Sequence, residues 1–407
     1  MSCPQETVTP AVLAAVAEAP MATTSEAPIA TQVLAADDFD ENDSAIGEED
    51  IFGSTVSIAS SIYKFREENG RTYNSYGDRS MAPKPLLSTM EIERDRLDLQ
   101  HHLWQLTFGG KIFTAPINEK KLHRVLDVGT GTGIWAIDMG DMYPGAEVSG
   151  VDVSPIQPQL YESFYLTLDV LQITSVSVPT NVKFEIDDLE KPWTFTKGFD
   201  FVFSRMMTGS FSDWKEYIER CFASTNPGGY LEVQDVCLPV RCDDDTLKGT
   251  NLEKYGELLL EGSLKLGVGL DVALTTKQIM EEAGFVDVVE VIYKWPMNKW
   301  PANKKMKEIG LWAHEATTSN LTGLSIALFT HGLGWSTEEM EVFLAEVRGD
   351  IKNSKIHSYW PIYVVYGKKP ERQHESAVPW KIDKSPVGVF SVEISGQSFD
   401  DYDHIIA

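Results

Sequence analysis

The stretch Val125-Leu126-Asp127-Val128-Gly129-Thr130-Gly131-Thr132-Gly133-Ile134-Trp135 decides the fold. An apolar run rich in Val and Leu enters three glycines at alternate positions, and a helix-like segment over 134–142 follows at once. Strand, glycine turn and helix in this order make a phosphate- or nucleotide-binding corner. Glycine is needed because a side chain would keep a ligand away from the backbone, and because such a turn can demand a positive φ. The spacing is G-x-G-x-G, not the G-x-G-x-x-G of dinucleotide sites. An acidic residue, Asp127, stands two positions before the first glycine.

Working outward, strand-like and helix-like segments alternate. The second strand covers 147–151 and ends at Asp152. The third covers 182–186 and ends at Asp187-Asp188. The fourth covers 199–203, with a helix over 214–222 behind it. Pro227-Gly228-Gly229 reads as a turn and 230–234 as the fifth strand. This alternation predicts a parallel sheet with helices on both faces. After Asp235 the pattern changes. Helices are expected over 252–266 and 276–283, a strand over 286–293, and a helical insertion rich in Trp and Met over 300–334. A capping box of Ser336 and Glu339 opens a helix to about 351, and a last strand covers 362–366. Upstream, a helix over 90–107 carries Leu97, His101 and Trp104 roughly on one face and stops at Gly109-Gly110. Its position just before the first strand would let it lie across the ligand mouth.

The chain has 407 residues, 43% of them hydrophobic, and a net charge of -26. That charge speaks against non-specific attraction to nucleic acid or an anionic membrane. It is uneven: residues 1–63 contain no Lys, Arg or His and eleven Asp or Glu. Segments rich in Ala, Pro, Thr and Ser, and then in acidic residues, lack the large side chains that offset ordering entropy. The sequence therefore predicts a disordered acidic tail over 1–57. A single domain follows over 58–370, with cap segments at 90–108 and 297–335, and a loose tail covers 371–407. Cys3, Cys221, Cys237 and Cys242 show no metal or redox spacing, which fits a reducing compartment. Neither a secretory signal nor a membrane-spanning run is expected. The cytoplasm is the expected location, with the nucleus as an alternative.

Several residues carry candidate chemistry. Asp152 lies nineteen residues after Gly133, and the two oxygens of a carboxylate there match the vicinal diol of a ribose. Arg205, after the fourth strand, would pair with a carboxylate or touch a substrate. Candidate bases are His101, His102 and His314, with His331 and Asp235 behind them, although each also suits a structural place. Trp104, Trp300, Trp312 and Trp335 would wall a flat apolar substrate or belong to the core.

The G-x-G-x-G turn after Asp127 resembles motif I of class I S-adenosylmethionine (SAM) methyltransferases. Further runs resemble, in this order, the fungal LaeA-like methyltransferases of the UMTA/TAM group. They are EIERDRLDLQHHLWQL at 91–106, DDLEKPWTF at 187–195, FDFVFSRM at 199–206, PGGYLEVQ at 227–234 and IYVVYGKKP at 362–370. The resemblance covers about 63–370. It implies an α/β fold with a seven-stranded class I (Rossmann-like) sheet, the last strand inserted antiparallel, and helical cap additions. It also implies SAM as cofactor, no metal, and a cofactor site drawn from Asp127, Gly129, Thr130, Gly131, Gly133, Asp152, Asp187, Asp188, Leu189 and Ser204. Within that set Asp152 would take the ribose hydroxyls, and Asp188 the adenine amino group with Leu189 against the ring. The Asn/Asp-Pro-Pro-Tyr/Phe signature of enzymes that methylate base amines is absent after the fourth strand, which again argues against a nucleic-acid substrate. Two roles follow from the resemblance. One is methyl transfer to a small-molecule acceptor in fungal secondary metabolism. The other is regulation inside a nuclear complex with a velvet-type protein partner, for which Lys304-Lys305-Met306-Lys307 is a weak import signal. An NAD(P) oxidoreductase is disfavoured by the glycine spacing.

Overall fold

The structure is a computed structural model that describes residues 34–36, 87–154, 156–157 and 177–371. Apart from 34–36 and Glu371, the expected tails over 1–57 and 371–407 lie outside the described residues, as does 58–86. Helix α1 (Leu87–Thr107) comes first. Strand β1 (Arg124–Val128) then leads into α2 (Ile134–Met142). Successive side chains of a strand point to opposite faces, and β1 obeys this. Leu126 and Val128 join one buried cluster with α3 (Trp214–Ser224), while Val125 joins another with Trp135, Ala136 and Met139 of α2.

β1 is an inner strand of the sheet. It pairs in parallel with β2 (Glu147–Asp152) on one side and β4 (Phe199–Arg205) on the other. β3 (Val182–Ile186) flanks β2, and β5 (Thr225–Val236) flanks β4. Beyond them run α4 (Asn251–Lys265), α5 (Thr276–Ala283) and β6 (Val286–Pro296). β7 (Tyr359–Lys368) inserts antiparallel between β5 and β6, giving the order β3-β2-β1-β4-β5-β7-β6. The strands at the centre are nearly continuous apolar runs, as a sheet covered on both faces requires: Phe199, Phe201, Val202 and Phe203 of β4 are all fully buried.

Pro227-Gly228-Gly229 is not a separate turn. It lies inside β5, where the ladder to β4 jumps from Thr225 opposite Phe199 to Tyr230 opposite Phe201. The reason is a partner that local composition does not reveal. Gly228, at φ 82, donates to the Lys369 carbonyl at 2.8 Å, and the Lys369 N–H donates to Gly229 at 2.8 Å. The end of β7 thus holds the bulge in the sheet.

Between β6 and β7 the chain builds a helical layer of α6 (Lys304–Thr318), α7 (Leu321–Ala327), a π-helical turn (Leu328–Gly332) and α8 (Thr337–Lys352). Ser336 and Glu339 form the full capping box at the start of α8. These helices share one core with α1, α4 and the ends of β6 and β7, centred on Trp104, Tyr255, Phe329, Leu344 and Ile351. Residues 34–36 also belong here. Ala36 bridges Pro301, Ala302 donates to the Ala35 carbonyl at 3.0 Å, and Leu34 packs on the same core.

Candidate functional site

All three glycines of the turn have positive φ, and two of them are closely approached. A Cβ at Gly129 would fall 2.1 Å from Met207 Sδ, and one at Gly131 would fall 3.3 Å from Leu97 Cδ1 of α1. The turn is held from below. Gly129 and Thr130 donate to the Val151 carbonyl at 2.9 and 3.0 Å, and Thr130 Oγ1 donates to Asp127 Oδ2 at 2.6 Å. It is held from the side by Asp152, whose Oδ2 accepts the Gly131 N–H and whose Oδ1 accepts the Ser154 N–H, both at 2.9 Å. Gln157 donates to the Gly131 carbonyl at 2.8 Å. From above, Thr132 Oγ1 donates to Asp98 of α1 at 3.0 Å.

These groups open onto a cavity of about 620 Å³ that runs from the glycine turn to the helical layer. Gly129, Thr130, Gly131 and Asp152 line one end. Arg96, Leu97, Gln100 and His101 of α1 and Met206 to Thr208 also line it. Tyr255, Leu259, Trp295, Ala313, Ala316, Leu324, Leu328 and Trp360 line the other end. The remaining site residues named from the sequence stand elsewhere. Asp127 is buried beneath the turn, turned to Thr130. Gly133 caps α2. Asp187, Asp188 and Leu189 follow β3, where Asp188 accepts the Glu190 N–H and pairs with Lys191, and Leu189 is buried in the core. Ser204 is fully buried beside Tyr217. Among the described tryptophans, Trp295 and Trp360 reach the cavity; Trp104, Trp300, Trp312 and Trp335 do not line it.

Among the described histidines, only His101 lines the cavity. A guanidinium only donates, so the 3.1 Å contact from Arg205 Nη1 makes Nδ1 of His101 the acceptor. The ring proton then sits on Nε2, which donates to Asp138 Oδ2 at 2.9 Å. Both nitrogens are occupied, and burial holds the imidazole pKa below its ordinary value. His102 lies edge-on to Trp312 at 4.7 Å, and His314 Nδ1 bonds the Met297 carbonyl.

Sequence reading missed the centrality of Arg205. Its Nε donates to Gln234 at 2.8 Å and its Nη2 to the Ile112 carbonyl at 3.0 Å, and the cation lies 5.1 Å from both the Trp104 and Phe203 rings. Burial lowers its pKa to about 9, opposed by the Asp127, Glu232 and Asp138 carboxylates. Two more features had no local signal. Met206 takes φ 56 without being glycine, and the Met207 and Thr208 N–H groups that follow donate to Asp235 at 3.2 and 3.1 Å. Asp235 is therefore a brace beneath the 206–208 loop, with burial raising its pKa to about 7. Gln100 is buried, yet its amide has no protein partner among the described residues.

Five parallel strands followed by an antiparallel β7 inside β6, with a glycine turn at the carboxyl end of β1, define the class I methyltransferase architecture. The comparisons agree. Residues 99–291 match the family described as "Methyltransferase domain". The chain is 33% identical to the "Probable methyltransferase tdiE" of Emericella nidulans over 77% of this chain and 92% of that one. It is 33% identical to "Methyltransferase pytC" of Aspergillus terreus over 79% and 93%, and 32% identical to "Secondary metabolism regulator LAE1" of Cochliobolus heterostrophus over 75% and 95%. The chain belongs to the LaeA-like class I methyltransferases. It is an enzyme that takes its methyl group from SAM. Among the described residues no helix is long and apolar enough to cross a membrane, and no side-chain cluster suits a metal.

Proposed function

We propose that the glycine-turn end of the cavity holds SAM and that the cap end holds a small, largely apolar acceptor. The observation that carries this reading is the continuity of one cavity from Asp152 and Gly131 to Trp295 and Trp360. Asp152 suits the ribose because each carboxylate oxygen already accepts one backbone N–H, which aims the group while leaving acceptor capacity for a diol. Gly129, Thr130 and Gly131 admit the donor to the backbone, with Leu97 above them. Asp187 donates its N–H to the Asp152 carbonyl at 3.1 Å, so Asp188 and Leu189 follow next along the sheet, which supports the reading that they serve the adenine. When bound, SAM supplies an electrophilic methyl group on a sulfonium. The residues of this chain align the acceptor and exclude water, which accounts for much of the acceleration of an in-line displacement. His101 and Arg205 hold α1 over the site as positioning residues. The segments 90–108 and 297–335 choose the acceptor.

Calorimetry with SAM and NAD(P)H tests the donor. We expect micromolar SAM binding, about -8 kcal/mol, weakened by Gly131→Ala and by Asp152→Ala. Tight NAD(P)H binding, or no SAM binding by the wild type, would overturn the reading. Metabolite profiling of a Gly131→Ala strain then identifies the acceptor, which we place in fungal secondary metabolism. A second reading is favoured by the relatives named as secondary metabolism regulators: the protein acts in a nuclear complex with a velvet-type partner. Capture of such a partner with equal strength by wild type and Gly131→Ala would support it.

A further inference from the structure

Asn320 occupies the N-cap position of α7, where an asparagine ordinarily accepts an N–H from the first helical turn. Here the side chain makes no capping bond. It lies over Gly323 instead: a Cβ at Gly323 would meet Asn320 Oδ1 at 2.0 Å and Nδ2 at 3.2 Å. Both residues line the cap end of the cavity, and the Asn320 amide has no hydrogen-bond partner among the described residues. The walls beside it are mostly apolar, formed by Ala316, Leu324, Leu328 and Trp360, with Thr317, whose Oγ1 accepts the Trp360 indole N–H at 3.2 Å. The amide is half-buried, so an acceptor that displaces water from this chamber must replace its hydrogen bonds, each worth about 0.5–1.5 kcal/mol.

We propose that Asn320 is a specificity-determining residue that recognises an uncharged carbonyl or hydroxyl group on an otherwise apolar acceptor. This rests on the reading that the cap end of the cavity holds the acceptor. An amide both donates and accepts, so it reads either group. It brings no charge, so it does not offset the desolvation of a carboxylate or an ammonium. The ionisable side chains that do reach the cavity, among them Arg205, His101 and Asp152, are already tied to protein partners. Gly323 belongs to the device, because only a residue without Cβ leaves the amide where it lies.

The test uses the full chain saturated with S-adenosylhomocysteine, titrated calorimetrically with 2-naphthol, 2-methylnaphthalene and 2-naphthoate. Wild type should bind 2-naphthol about five- to tenfold more tightly than 2-methylnaphthalene, a difference of one hydrogen bond, and 2-naphthoate most weakly. Asn320→Leu should erase the 2-naphthol advantage and leave 2-methylnaphthalene within about twofold, since the apolar walls that hold it are intact. Gly323→Ala should do the same by displacing the amide. Alanine also favours the helix over glycine, so this variant should melt no lower than wild type, and its loss of 2-naphthol binding could not be put down to a weakened α7. Persistence of the 2-naphthol advantage in both variants would overturn the inference. So would 2-naphthoate binding as tightly as 2-naphthol, or no probe binding to the loaded protein. Failure of S-adenosylhomocysteine itself to bind would overturn the donor-site reading and this inference with it.

Discussion

Asp152 Oδ2 accepts the Gly131 N–H at 2.9 Å, so the end of β2 and the middle of the glycine turn are fixed to each other. Burial raises the Asp152 pKa above its ordinary value, against the backbone N–H groups of Ser154 and Gly131 that lower it. A ribose diol with two donors needs both carboxylate oxygens as acceptors, and protonation turns one of them into a donor. Affinity for S-adenosylhomocysteine should therefore fall as pH drops, starting at a higher pH than an ordinary aspartate would give. Asp152→Asn should bind at least about tenfold more weakly at pH 7.5, because one carboxylate hydrogen bond is worth about 1.5–3 kcal/mol, and its affinity should not follow that acid limb. Calorimetry between pH 5 and 8 checks both. A variant with the wild-type profile would remove Asp152 from the site.

Arg205 is the buried cation of the site, and α1 depends on it. Arg205→Met would strand His101 Nδ1, Gln234 Oε1 and the Ile112 carbonyl, which it now serves. Breaking a buried charge network from one side costs about 3–5 kcal/mol, and urea denaturation should show a loss of that order. A second readout separates this from a general loss of fit. Arg205 is one of the causes that lower the His101 pKa, so the imidazole should titrate at a higher pH in the variant, read from its ring-proton NMR shift. An unchanged His101 titration would contradict the contact.

The parts of this molecule that sequence exposed are those specified by local periodicity. Val125 and Leu126 alternate between two cores because β1 is a strand. Gly284, at φ 104, ends α5 in the left-handed conformation that glycine adopts most readily. Ser336 and Glu339 announce their helix by spacing alone. What stayed hidden depends on partners distant in sequence. Pro227-Gly228-Gly229 looks like a turn until Lys369 pairs with it. His101 looks like a base until Arg205, 104 positions away, takes its Nδ1. Trp295 and Trp360, rather than the four tryptophans singled out from sequence, reach the cavity because β6 and β7 run longer than their apolar cores suggest.

Asp127 offers a stability test with a defined sign. Burial, the largest effect, raises its pKa to about 7, while Thr130 and Arg205 pull it down. A group whose folded pKa lies above its unfolded value contributes most below the unfolded pKa, and that contribution is lost as pH rises toward the folded pKa. The window is therefore about pH 4 to 7. Asp127→Asn keeps an oxygen for Thr130 Oγ1 and carries no charge to desolvate. The difference in unfolding free energy should shift in favour of the variant from pH 5 to pH 8, by up to a few kcal/mol, measured by urea denaturation at each pH. A difference independent of pH would mean that Asp127 titrates alike in both states.

Gly262 and Gly332 let α4 and the π-helical turn cross at close range, and alanine at 262 and at a control glycine tests what that crossing does. α4 meets the π-helical turn backbone to backbone: a Cβ at Gly262 would fall 2.7 Å from the Leu328 carbonyl, and one at Gly332 would fall 2.6 Å from the Gly262 carbonyl. A carbonyl cannot swing aside as a flexible side chain can, so Gly262→Ala must push the turn away from α4. Overpacking of this kind costs about 1–3 kcal/mol. Leu328 lines the cavity from that turn and Leu259 from α4, so the displacement should also weaken 2-methylnaphthalene binding to the S-adenosylhomocysteine-loaded protein. Gly349 is the control. It sits in α8 with nothing within 4 Å of a Cβ, so Gly349→Ala gains helix propensity of about 1 kcal/mol. The same chemical change should thus lower the melting temperature at 262 and raise it at 349. Equal shifts at the two positions would show that the close crossing of α4 and the turn does not limit the cap.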